Sequence, residues 1–152
     1  MLLYMPFEGG SNSTYTKEYS SGYGYNIKVS GTTWIKDKGK IGSAYRFNGT
    51  GDKIIINNGE NFKTQSFTIE AWVNSSGSLL NTLQGIFFGF GGGLSNGGYR
   101  LFLAYDNTTL RLQINFTGKV YNIYSTPYKI NLYQSNFIAV TYDQNRTTPI
   151  TL

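Results

Sequence analysis

The chain contains neither cysteine nor histidine among its 152 residues. That excludes disulfide staples, Cys/His zinc centres, and Ser–His or Cys–His nucleophilic machinery. Missing cysteine does not set the compartment, because a domain of this length can build its core without disulfides. Charge is scarce as well. Asp, Glu, Lys and Arg make up 14% of the chain, against roughly a quarter in ordinary globular proteins, so polarity rests on Asn, Ser, Thr and Tyr. The net charge of +5 is scattered. Its main cluster, Lys36, Lys38 and Lys40, is interrupted by Asp37, so nucleic acid is not expected as a partner, since that requires concentrated positive charge. No run reaches the length of about eighteen apolar residues that a membrane span needs. The opening MLLYMPFEGG has too short an apolar run, and no basic residues before it, to be a signal peptide. If the protein is exported, its leader is expected outside this sequence.

What the chain has in quantity is tyrosine (13), phenylalanine (10) and glycine (19). Aromatics argue against disorder. Their combination with glycine favours short strands joined by turns. Period-two alternation and turn residues place strands at 2–7, 45–47, 53–56, 66–73, 85–90, 99–105, 110–116, 120–125 and 136–142. Residues 9–33 read as a long polar loop. The run 85–90 is apolar throughout and is expected to be buried on both faces. The runs 99–105 and 110–116 around a polar turn are the clearest hairpin. Helical periodicity is absent. The pattern predicts an all-β, antiparallel sandwich in one domain over 1–152. After Pro149, Ile150-Thr151-Leu152 starts a further strand, so the sandwich is expected to lack its C-terminal strands within this sequence. Its open edge would be closed by continuing chain or by another copy.

Four segments, in this order, carry a family signature: LLYMPFEGG (2–10), GKIGSAYRFNGTGDKIII (39–56), SFTIEAWV (66–73) and NFIAVTYD (136–143). Together they resemble the laminin-G-like domains of the concanavalin A-like lectin/glucanase superfamily. Glu8 stands where that family usually has Asp, and Tyr45 where Leu is common. The resemblance implies a jelly-roll sandwich of two curved sheets. It implies a domain that is extracellular or at the cell surface and mostly non-catalytic, binding carbohydrate or protein by loops at one end or by the concave sheet. It also implies one structural calcium at a loop edge. Calcium wants six to eight oxygens, and the acids beside turns are Glu8, Asp52 and Asp106.

Glu70 and Trp72 share one face of the 66–73 strand. Some glucanases share the fold, but glycoside hydrolysis normally uses two carboxylates flanking the bond. Here Trp72 stands where the second would be expected, so the pair reads as scaffold and the chain as no enzyme. For ligand binding, the candidates are Tyr19, Tyr23, Tyr25 and Trp34, with Tyr15, since Tyr and Trp stack on sugars and populate interfaces. Sequons at Asn12, Asn48, Asn74, Asn107, Asn115 and Asn145 are candidate N-glycosylation sites, most of them in predicted turns. GGGLSNGG at 91–98 is followed by a strand rather than a helix and so is no phosphate loop. Three roles remain open: a recognition or adhesion domain whose partner is a glycan or a surface protein; a glycosylated structural subunit of a surface layer, sheath or filament, paired with copies of itself; and an accessory domain of a glycoside hydrolase.

Overall fold

The computed structural model describes residues 1–8, 16–20, 22, 24–57, 59–62, 64, 66–77, 84–89, 98–104, 106, 108–116, 119–125, 129–143, 145 and 150–151. These form antiparallel strands, with no α-helix among the described residues and one short 3-10 turn, Gly59–Phe62. The chain divides into two compact units, Met1–Asn61 and Phe62–Leu152.

The first unit holds two strand pairs. β1 (Ile27–Ser30) pairs with β4 (Lys53–Ile56) so that Val29 lies opposite Ile54 and Ile27 opposite Ile56. Ile27 and Val29 are buried, while Lys28 between them is exposed, as the two-residue period requires. β2 (Thr33–Ile35) pairs with β3 (Ala44–Arg46). The segment 1–8 is no strand, contrary to the sequence reading. Pro6 has no N–H to give to a ladder, and Phe7 turns to a φ of 61°, out of the extended region. That conformation is held from two sides. The Trp34 indole N–H donates to the Phe7 carbonyl (2.8 Å), and the Phe7 ring meets Tyr45 edge-on at 5.3 Å. Residues 9–33 are likewise not one loop, since they contain β1 and the start of β2.

The second unit is a sandwich of two sheets. β5 (Ser66–Val73) pairs with β10 (Asn136–Asp143) over eight residues, and β11 (Ile150–Thr151) pairs with the other side of β10. The second sheet is the run β6 (Gln84–Gly89), β7 (Gly98–Leu103), β8 (Leu110–Phe116) and β9 (Lys119–Tyr124), each strand antiparallel to the next. β6 is irregular between Gly85 and Phe87. Of its described side positions, Gly85 is exposed and Ile86 half-buried, so burial on both faces does not hold there.

Between the sheets lies the core. Phe67, Ile69, Ala71 and Val73 of β5, with Ile138, Val140 and Tyr142 of β10, face Tyr99, Leu101 and Leu103 of β7 and Leu110, Leu112 and Ile114 of β8. Phe67 stacks on Tyr99 from the opposite sheet, centroids 4.2 Å apart. Burial pushes the Tyr99 phenol up to about 12, and its hydroxyl donates to the Phe62 carbonyl. Every core position alternates with one on the outer face of its sheet, which fixes what those outer faces carry.

Candidate functional site

Because Tyr99, Leu101 and Leu103 point inward, Gly98, Arg100 and Phe102 point to the opposite face of β7. Register then sets their neighbours. Arg100 lies opposite Gln113 of β8, which lies opposite Asn122 of β9. Phe102 lies opposite Arg111, which lies opposite Tyr124. Gly98, Asn115 and Val120 form a third row. The outer face of three consecutive strands is thus a grid of two arginines, three amides and two aromatic rings.

The polar members are joined by directed hydrogen bonds. Arg100 Nε–H donates to Gln113 Oε1, and Gln113 Nε2–H donates to Asn122 Oδ1. Asn122 Oδ1 also accepts from Arg111 Nη2 at 2.7 Å and Nε at 3.3 Å. Both guanidiniums lie over the Phe102 ring, at 5.4 Å for Arg100 and 5.2 Å for Arg111, and Arg111 also lies over Tyr124 at 5.2 Å. Phe102 is only 1% exposed and acts as the floor, whereas Tyr124 is 45% exposed. Asn115 is buried (3% exposed), and its Oδ1 has no hydrogen-bond partner among the described residues.

The electrostatics are one-sided. β6, β7, β8 and β9 contain no Asp or Glu, and no carboxylate among the described residues pairs with Arg100 or Arg111. The internal bonds also use up acceptors. Gln113 Oε1 and Asn122 Oδ1 each accept within the grid, and Asn122 Nδ2 and the remaining guanidinium N–H groups are left as donors. Chemically the face is a cationic donor array on an aromatic floor.

The residues singled out from the sequence do not gather into such an array. Tyr23, and Tyr15 with it, lie outside the described residues. Tyr25 is buried at 7% exposure, and Trp34 is half-buried with its N–H donated to Phe7. Tyr19 alone of the described set is an exposed ring. The calcium candidates have other engagements. Glu8 accepts from the Ser43 backbone N–H (2.6 Å) and hydroxyl (3.2 Å). Asp52 accepts from the Asn48 backbone N–H at 2.8 Å. Asp106 caps a turn through the Thr108 and Thr109 N–H groups and pairs with Lys129 at 2.8 Å. Partial burial alone would raise the Asp106 carboxyl. The bonds from Lys129, Thr109 and Thr108 outweigh it and hold the group well below the usual carboxylate range. Among the described residues no group of three acidic side chains is placed where it could hold a metal ion.

Among the sequons, Asn48, Asn74 and Asn145 are exposed. Asn115 is not in a turn but inside β8 and buried, so a glycan there would have to break the sheet's packing. Asn12 and Asn107 lie outside the described residues. Glu70 is exposed, and Trp72 packs against Phe137 of the neighbouring strand at 5.3 Å.

The arginine grid escaped sequence reading because its members are spread over three strands as ordinary polar positions of alternating runs. The available signal was the lack of any acid in 84–124 except Asp106, with an arginine at an outward position of each hairpin strand.

A laminin G family model, described as concanavalin A-like lectin/glucanases superfamily, matches residues 48–152, more than two thirds of the chain. The match begins at NGTGDKIII and takes in SFTIEAWV and NFIAVTYD. No curated protein and no solved structure gives a significant match.

Proposed function

The chain belongs to the laminin G type of the concanavalin A-like lectin/glucanase superfamily, and from that premise we propose that it is a non-catalytic recognition domain whose ligand is a glycan. The observation that carries this reading is the grid on β7, β8 and β9. Arginine, amide and exposed tyrosine side chains are the groups that orient saccharide hydroxyls and stack on pyranose rings. A non-catalytic role is supported by the distribution of carboxylates. Two on either side of a bond are needed for ordinary glycoside hydrolysis, and the grid has none. Glu70 stands alone on its face among the described residues of β5 and β10 until Asp143 at the far end.

An extracellular or cell-surface location accords with the family. No helix among the described residues is long and apolar enough to cross a membrane. Exposed sequons at Asn48, Asn74 and Asn145 are where N-glycans would attach. The test is binding of the whole chain to a printed glycan array, repeated with Tyr124→Ala. Saccharide binding that is reduced about tenfold by that substitution supports the reading. Hydrolysis of any bound glycan, or no saccharide binding at all, defeats it.

A further inference from the structure

We propose that the β7–β9 face selects acidic saccharides, holding the carboxylate of a uronic acid residue between Arg100 and Arg111. This rests on the glycan reading above and narrows it to a ligand class. The argument is one of donors left over. Within the grid the acceptor oxygens of Gln113 and Asn122 are already occupied by Arg100, Gln113 and Arg111. The charged groups of the grid are all positive and can only donate, and the Tyr124 hydroxyl, on a ring that is 45% exposed, can also accept. A neutral sugar hydroxyl can accept from these donors but brings no charge to offset the two guanidiniums. A carboxylate accepts only, through two oxygens in one plane, and matches the planar guanidinium fork.

Both guanidiniums are held within 5.4 Å of one ring, Phe102, so they are fixed rather than swinging freely. Fixing them lowers the ordering cost of binding. With no acid on β6–β9 and no described carboxylate paired to either arginine, the ligand would be their first counter-charge. A carboxylate beside hydroxyls on a ring that can lie against Tyr124 describes a uronic acid better than a sulfate ester or an acidic peptide.

The experiment compares binding of the intact chain to polygalacturonate, to the same polymer fully methyl-esterified, and to dextran sulfate. Each is repeated with Arg111→Gln, Arg111→Lys and, as a charge-matched control on β1, Lys28→Gln. Thermal melting confirms that each variant is folded. The expected result is binding to polygalacturonate that esterification weakens at least about tenfold. Arg111→Gln should weaken it by a similar factor, Arg111→Lys should weaken it less, and Lys28→Gln should leave it nearly unchanged. Arg111→Lys keeps the charge, so it retains a readout if the Gln variant fails to fold. Equal affinity for the acid and its ester overturns the inference while leaving the glycan reading intact. So does tighter binding to dextran sulfate, or an equal loss in Lys28→Gln. Binding to none of the three polymers removes both.

Discussion

At the scale of single residues, Glu8 shows how a carboxylate that invites a functional reading can be fully spent on structure. Its oxygens receive the backbone N–H and hydroxyl of Ser43. The neighbouring Gly42 has a φ of 61°, and a Cβ built there would collide with the Glu8 carboxylate. Gly51, at a φ of 91°, has open space around it. Alanine at Gly51 therefore bears only the conformational cost of about 1 kcal/mol, while alanine at Gly42 must also displace Glu8. Chemical denaturation should show Gly42→Ala as the more destabilising of the two, and equal losses would mean Glu8 does not hold this corner.

Asp106 gives a residue-scale prediction with a sign. Its carboxyl is depressed in the folded state, so its stabilisation is complete above the unfolded value of about 4 and is lost as pH falls through the folded one. The pair with Lys129 is largely solvent-exposed, so the gain is under about 1 kcal/mol. Asp106→Asn should be slightly less stable than the parent at pH 7. The gap should close in melts taken from about pH 5 downward, and a gap that widened would contradict the assignment.

At the scale of elements, burial depends on where a strand sits in its sheet. Leu112 lies on β8 with a strand on either side and is wholly buried, whereas Ile123 on the terminal strand β9 is half-buried. Leu112→Ala should cost about 2–5 kcal/mol, and Ile123→Ala clearly less, by urea denaturation. The same positions explain what could be read in advance. The strands at 66–73, 110–116 and 53–56 have the expected ends because uninterrupted alternation leaves little choice of boundary. β1 and β2 are four and three residues long, too short to stand out from the polar run around them. The segment 2–7 looked extended because its residues are apolar, yet Pro6 and the turn at Phe7 keep it out of any ladder. The arginine grid required the register Arg100–Gln113–Asn122 and Phe102–Arg111–Tyr124, a relation between strands that periodicity within one strand cannot express. Tyr25 and Trp34 drew notice as aromatics, but composition does not say whether a ring faces water or packing.

At the scale of the whole molecule, the apolar core cluster belongs to the second unit, where Leu101, Leu112 and Val140 are wholly buried. The first unit relies on short strand pairs and on side-chain ties such as Trp34 to Phe7 and Glu8 to Ser43. Local opening is governed by how many buried contacts and shielded backbone bonds must be given up. β7, β8 and β10 each have a strand on both sides, so their amides lose two ladders at once on opening. β2 and β3 share three residue pairs and have no other strand partner among the described residues. Native-state hydrogen exchange followed by mass spectrometry should therefore show the slowest amides in β7, β8 and β10, exchanging near the rate of global unfolding. Peptides covering β2 and β3 should exchange faster, through openings that leave the sandwich core closed. Protection in β2 and β3 equal to that in β8 would mean that the two units open as one, and that the short strand pairs draw on stability beyond their own contacts.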